Sequence, residues 1–323
     1  MDIVSFTEKA NIYGHKKEPF FFLLDFELKK PFICPLDKAG SYGFLFKIKG
    51  QSNIKDVTIK NSCCNLHPVP MPKEDYAKAF NMVKKHIRAG NAYLLNLTFP
   101  TQLKGDVFPE YIFHKSTAPY TLLYKDEFVL FSPECFVRIE NNRIFSYPMK
   151  GTIDATIPDA EQLILHNKKE HWEHNTIVDL IRNDLSMVSE NVIVSSFRFI
   201  NHLKTSNREL LQVSSEIHGD LKPDWQSRIG DILLKLLPAG SISGAPKVKT
   251  VEIIRDTEQQ DRGYFTGIFG LFNGNTLDSA VNIRFIEKTD QDYQFRSGGG
   301  ITANSKMIEE YQEMINKVYV PFT

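Results

Sequence analysis

The stretch Tyr120-Thr-Leu-Leu-Tyr-Lys-Asp-Glu-Phe-Val-Leu-Phe-Ser-Pro-Glu-Cys-Phe-Val-Arg-Ile-Glu-Asn-Asn-Arg-Ile-Phe-Ser-Tyr147 packs four apolar, β-branched and aromatic runs into 28 residues, at 120–124, 127–132, 136–139 and 143–147. Such residues suit a pleated surface. Asn141-Asn142 supplies a tight turn, because Asn tolerates the left-handed backbone. Runs this close pair with their neighbours, so the stretch reads as an antiparallel meander.

Outward from it, 93–99 reads as another strand. Before that, Tyr76, Phe80, Val83 and Ile87 fall at 3.6-residue spacing and Gly90 closes the pattern, which predicts a helix over 75–87. Residues 1–70 carry short apolar runs at 20–24 and 42–48 broken by Pro, Gly and Asn, and read as strands joined by turns. Toward the C-terminus, 159–182, 245–256 and 305–319 read as helices. Residues 263–273 and 277–286 read as two strands around Gly274-Asn275. Strands in runs, without strict alternation with helices, predict an α+β fold with a mostly antiparallel sheet. No repeat or low-complexity linker interrupts the chain, so 1–323 reads as one unit, with 1–70 its strand-rich N-terminal part.

Composition narrows the partner. Lys plus Arg equals Asp plus Glu, at 39 each, so no net field draws the chain to nucleic acid or an anionic membrane. No apolar run approaches the roughly 20 residues of a membrane span, and Met1-Asp-Ile-Val-Ser-Phe6 lacks the pattern of a secretory signal. The expected address is cytoplasmic. Cys34, Cys63, Cys64 and Cys135 form no C-x-x-C pair, which points to reduced thiols.

Five constellations bear chemistry. Glu170 and Glu173 stand three apart on a helix face continued by Ile177 and Leu180, which turns them toward the interior. Glu310 and Glu313 repeat the spacing on the last helix. Brought together, these acids would make the all-oxygen pocket a hard cation such as Mg2+ prefers. Kept apart, they are solvated faces, and spacing alone does not separate the two. His171 and His174 lie close by, but the order matches neither H-E-x-x-H nor H-x-x-E-H, so zinc is not indicated.

Pro238-Ala-Gly-Ser-Ile-Ser-Gly-Ala-Pro-Lys247 is a small-residue loop entering a helix. Lys247 would sit in the first turn, where the helix dipole disfavours a cation unless an anion is shared there. The spacing is not that of a phosphate-binding Walker loop. Ser297-Gly-Gly-Gly300, between a strand and the last helix, could present bare N–H groups to a carboxylate or be a plain turn. Arg284 is a candidate second anion contact or a surface arginine. Finally, a hairpin could bring Glu134 and Lys150 into one pocket as acid/base and amine nucleophile; an exposed hairpin lysine would look the same in sequence.

Taken together and in this order, these segments resemble the chorismate-utilising enzymes: the anthranilate, aminodeoxychorismate, isochorismate and salicylate synthases. The resemblance covers about 75–320 and rests on Ala89-Gly-Asn-Ala-Tyr-Leu-Leu-Asn-Leu-Thr98, Ser132-Pro-Glu134, Pro148-Met-Lys-Gly-Thr152, Glu173-His-Asn-Thr-Ile-Val-Asp-Leu-Ile-Arg-Asn-Asp184, the loop 240–247, Gly298-Gly-Gly300 and Glu310-Tyr-Gln-Glu313. It implies one α+β domain with two facing, mostly antiparallel sheets flanked by helices. It implies that Glu173 and Glu313, supported by Glu170 and Glu310, hold Mg2+, which grips the chorismate ring carboxylate. Arg284, Gly298, Gly299, Gly300 and the loop of Ser241, Gly244 and Lys247 would hold the enolpyruvyl carboxylate, with Thr152, Gln212, Phe265 and Lys317 also lining the substrate.

Residue 150 divides the family. Anthranilate synthases resemble P-L-A-G-T here and aminodeoxychorismate synthases P-I-K-G-T; this chain has Lys150. The resemblance then implies attack of the Lys150 amine at ring C2 with loss of the C4 hydroxyl, then ammonia at C4 expelling the lysine, with Glu134 as acid and later base. Ammonia would come from a separate glutamine amidotransferase subunit. The competing expectations are an anthranilate or isochorismate synthase, or a non-catalytic carboxylate-binding protein on this fold. Two departures stand out. Gln212 occupies the place of a histidine in many relatives and cannot shuttle a proton, and no serine-bearing L-L-E-S element of tryptophan-inhibited enzymes is present, so tryptophan feedback is not expected.

Overall fold

The computed structural model describes residues 1–54, 64–204, 209–290 and 292–320; Cys63 therefore lies outside the described residues. Among these residues the chain forms two nine-stranded antiparallel sheets with helices, the expected α+β class. The first sheet runs Met149–Asp154, Glu209–Asp220, Arg143–Ser146, Cys135–Glu140, Leu277–Val281, Ile268–Phe272, Phe20–Leu24 and Phe32–Pro35, with Glu190–Lys204 also paired to Glu209–Asp220. The second runs Gly244–Ala245, Leu94–Asp106, Tyr293–Thr302, Phe285–Lys288, Phe128–Ser132, Tyr120–Tyr124, Phe44–Ile48 and Gln51–Ser52, with Asn65–Val69 paired to Leu94–Asp106.

The strands of 120–147 form where the pattern put them, but they are not one meander. Tyr120–Tyr124 and Phe128–Ser132 pair as a hairpin in the second sheet, while Cys135–Glu140 and Arg143–Ser146 pair in the first. The chain changes sheets at Pro133-Glu134. Pro133 has no N–H to give a ladder, which suits it to the crossing. Glu134 thus lies on a crossover rather than on a strand.

Aromatic residues of both sheets meet between them. Phe21 and Leu23 of the first sheet pack with Phe44, Phe46 and Phe128 of the second, and the rings of Phe21 and Phe46 stack at 5.6 Å. Each such fully buried ring is worth about 1.5–3 kcal/mol of transfer free energy.

Two local expectations are corrected. Residues 1–70 are not all strands: Ile3–His15 is a helix, capped by Asp2, whose side chain accepts from Ser5 N at 2.8 Å. Its buried face is Phe6, Ala10 and Gly14, two of them too small to register as an apolar stripe. The expected helix over 159–182 is two, Ala160–His166 and Lys168–Ser186, separated at Asn167, whose side chain accepts from Glu170 N at 3.1 Å and restarts the helix. The helices expected at 75–87, 245–256 and 305–319 form as Lys73–Arg88, Lys247–Glu258 and Met307–Asn316. Among the described residues no helix is long and apolar enough to cross a membrane.

Candidate active site

Lys150 rides the edge strand Met149–Asp154, whose register against Glu209–Asp220 shifts between Met149 and Thr152. The irregularity coincides with Gly151 at φ 83°, a left-handed conformation that glycine adopts freely. A Cβ at Gly151 would stand 3.3 Å from Glu170 Oε2, so the helix Lys168–Ser186 brings its first acid against the bulge. One turn further, Glu173 Oε2 lies 3.6 Å from Lys150 Nζ.

The three glycines, open in sequence between an N–H-presenting segment and a plain turn, lie in neither a turn nor a connection between elements. Gly298–Gly300 are not a turn but lie within the strand Tyr293–Thr302, opposite Thr98, Leu97 and Asn96. Lacking side chains, they form a floor. A Cβ on Gly299 would sit 3.1 Å from Glu313 Oε1 and 3.6 Å from Glu310 Oε2, and one on Gly300 would sit 3.9 Å from Lys150 Nζ. The last helix therefore reaches Gly299 and the Lys150 strand its neighbour Gly300. Gly298 C=O accepts from Lys317 Nζ at 2.7 Å on the edge away from Leu94–Asp106. N–H and C=O of one strand residue share an edge, so the N–H groups of Gly298 and Gly300 face that same open edge.

Glu134 lies within electrostatic reach of three cations, Lys150, Arg284 and Lys317. Ser241 Oγ donates to Glu134 Oε1 at 2.6 Å. Burial pushes the Glu134 carboxyl above its usual range, and the Ser241 hydrogen bond and the charges of Lys150, Arg284 and Lys317 oppose that shift without overcoming it. Burial likewise lowers the Lys317 ammonium, held against Glu313 Oε1 at 2.6 Å. Arg284, at φ 53°, lays its guanidinium over the Tyr319 ring at 5.2 Å, and its buried Nε has no partner within the protein. A buried donor of this kind calls for an acceptor from outside.

Several of the expected site residues have partners within the protein. The anion that offsets the cation in the first turn of Lys247–Glu258 is internal: Lys247 Nζ lies 2.9 Å from Asp184 Oδ1 and donates to Leu236 O at 2.8 Å. Gly244 spends its N–H on Gly240 O, and its φ of 113° lets the backbone pass Leu94 O, which a Cβ would meet at 2.0 Å. Phe265 is buried in the layer between the sheets beside Phe285, and offers no polar atom to a ligand. Lys247 and Gly244 are thus engaged within the protein, and Phe265 is packed in the core. Thr152 is exposed and pairs in register with Gln212 on the strand beside Lys150.

A magnesium ion suits an all-carboxylate donor set, and here Glu310 and Glu313 lie over Gly299, Glu170 against Gly151, and Glu173 beside Lys150. Among the described residues, however, no three such groups stand close enough to form a finished metal cluster. The charge of Glu173 and Glu313 is met here by Lys150 and Lys317.

His174 is a further residue of this neighbourhood whose ionisation the pattern did not foresee. It is fully buried, its Nε2 lies 2.6 Å from Ser215 Oγ, and burial with the charges of Arg198, Lys150 and His171 holds it down to about 4. It is a neutral support of the acid-bearing helix.

The frame, the glycine floor and the acid pairs define a class: this chain belongs to the chorismate binding enzyme family, whose pattern matches residues 65–322. An uncharacterised PabA-like protein of Pasteurella multocida is 54% identical over 322 residues, 99% of each chain. Aminodeoxychorismate synthase component 1 of Escherichia coli is 30% identical over 271 residues, 77% of this chain and 57% of its own. The solved menaquinone-specific isochorismate synthase of Escherichia coli shares the fold, with a TM-score of 0.73 at 16% identity over 97% of this chain and 80% of its own.

Proposed function

We propose that this chain is an aminodeoxychorismate synthase subunit, converting chorismate and ammonia to 4-amino-4-deoxychorismate for p-aminobenzoate and folate formation. The observation that carries the reading is the position of Lys150: an amine 3.6 Å from Glu173, over Gly300, and close enough to Glu134 to bear on its ionisation. An anthranilate or isochorismate synthase has no need of a covalent amine there.

The residues act as follows. Arg284 and the N–H groups of Gly298 and Gly300 receive the enolpyruvyl carboxylate. Magnesium, held by Glu173 and Glu313 with Glu170 and Glu310 behind them, would bind the ring carboxylate and spread its charge. The Lys150 ammonium gives up a proton to solvent, its free amine attacks C2, the ring double bond shifts, and the C4–O bond breaks. The departing hydroxyl leaves as water with the proton of Glu134, whose raised ionisation keeps that proton available. Ammonia then bonds to C4, the double bond returns, and Lys150 leaves as a neutral amine from its secondary ammonium. Glu134 recovers its proton from the new C4 ammonium. The enolpyruvyl chain takes no part and stays on the ring. A glutamine amidotransferase subunit supplies the ammonia in the cytoplasm.

The reading is tested by intact-mass spectrometry of the protein incubated with chorismate and magnesium but no ammonia. A chorismate-derived adduct that localises to Lys150 and disappears in Lys150→Ala supports it. Turnover of chorismate by Lys150→Ala at the wild-type rate refutes it.

A further inference from the structure

Behind the site lies an ion pair that the chemistry above does not use. Arg262 is 1% exposed, the second largest of the fully buried side chains among the described residues. Its guanidinium grips Glu258 with both edges of the fork, Nε to Oε2 at 2.9 Å and Nη2 to Oε1 at 2.6 Å. The remaining N–H groups go to Ile242 O at 2.9 Å, Asn96 O at 2.7 Å and Thr266 Oγ1 at 3.4 Å. Glu258 Oε1 also accepts from Thr98 N at 2.8 Å and Thr98 Oγ at 2.9 Å. A buried pair can be replaced by apolar packing without loss of stability, so its presence asks for a reason beyond folding.

The destinations supply one. Ile242 adjoins Ser241, the residue that donates to Glu134. Asn96, whose backbone Arg262 holds, donates through its side chain to Ser241 O at 3.4 Å. Asn96 and Thr98 are also the register partners of Gly300 and Gly298. One guanidinium therefore sets the height of the serine loop and of the strand beneath the glycine floor at once. A lysine would keep the charge but could not reach a carboxylate and two carbonyls from one rigid plane.

We infer that Arg262, clamped by Glu258, is a positioning residue that holds Ser241 against Glu134 and so sets the protonation at which this acid works. The inference rests on the reading of Glu134 as the site's acid. Loss of the Ser241 hydrogen bond removes support for the carboxylate, so Glu134 should hold its proton to higher pH.

The test is Arg262→Lys and Ser241→Ala, each alone and the two combined, read by the carboxyl 13C titration of Glu134, assigned by its absence in Glu134→Gln, and by the pH profile of kcat. Expected are an upward shift of the Glu134 titration and a fall in kcat of up to about 100-fold, since small misplacements in a site cost that much. The double variant should titrate like Ser241→Ala alone. A folded Arg262→Lys with a lower melting temperature but an unmoved titration would overturn the inference, as would additive effects in the double variant. If Arg262→Lys does not fold, Asn96→Ala, which removes a second tether on the same loop and leaves the ion pair, decides by the same titration: a shift supports, no shift overturns. Absence of chorismate turnover in the wild-type protein would sink the amination reading instead, while the titration would still report on the link from Arg262 to Glu134.

Discussion

Lys150 Nζ stands 3.6 Å from Glu173 Oε2, an amine from a bulged edge strand facing an acid on the helix Lys168–Ser186. The pair joins the two halves of the proposed chemistry, because the acid assigned to the metal also neighbours the nucleophile. Glu173→Gln should lose most of its magnesium affinity, on the order of 10- to 100-fold, as for weakened ligand sets generally. Gly299→Ala should do the same from the opposite side, since its methyl group would crowd Glu313 and Glu310. Calorimetric titration of magnesium into the substrate-free proteins checks both. Unchanged binding in either variant would remove the metal from these acids.

Glu134 gives a pH prediction with a definite sign. Its carboxyl is raised in the folded protein, so the folded state favours the protonated form; stability from this group is complete below about 4.5, its ordinary value, and declines as pH rises through the raised one. Glu134→Gln removes that decline. Its melting temperature should match the wild type at pH 4 and exceed it at pH 8, while kcat falls roughly 10²- to 10⁴-fold. Scanning calorimetry at the two pH values is sufficient.

His174 runs the other way. Held down to about 4 from 6.5, it stays neutral in the fold, so its contribution is intact above 6.5 and drains as pH falls toward 4. The difference corresponds to about 3 kcal/mol. Urea midpoints of wild type and His174→Gln, compared at pH 7.5 and 4.5, should show a wild-type acid loss that the variant lacks.

The N-terminal helix is docked through Gly14, where a Cβ would stand 1.8 Å from Gln226 O. Gly14→Ala should therefore destabilise by about 1–3 kcal/mol, as overpacking does. Val4→Ala, on the exposed face, should stay within about 0.5 kcal/mol. Thermal melts of the two variants check this.

That helix also shows where sequence reading stopped. Tyr76, Phe80, Val83 and Ile87 announce their helix because large residues mark its buried face, whereas Phe6 is followed on its face only by Ala10 and Gly14, too small to leave a stripe. The acids, Lys150, Glu134 and the triple glycine were legible as motifs. Their local setting was not: glycine is rare in strands, so Gly298–Gly300 left a turn as open as an N–H-presenting segment, and only the ladder with Asn96–Thr98 and the acids above explains why side chains are excluded there. Likewise the partner of Lys247 is Asp184, 63 positions away, and no local pattern reports such a pairing. The Glu258–Arg262 clamp has i,i+4 spacing that sequence shares with any solvated pair; its burial is a tertiary fact.

The account stands on retention of the enolpyruvyl chain while nitrogen enters at C4. The direct measurement is the mass spectrum of the product formed by the purified protein from chorismate, magnesium and ammonium. An amino compound that still carries the three-carbon side chain, formed only with magnesium and lost in Lys150→Ala, is the expected result. Free pyruvate with anthranilate, or a hydroxylated isomer of chorismate without nitrogen, would contradict it.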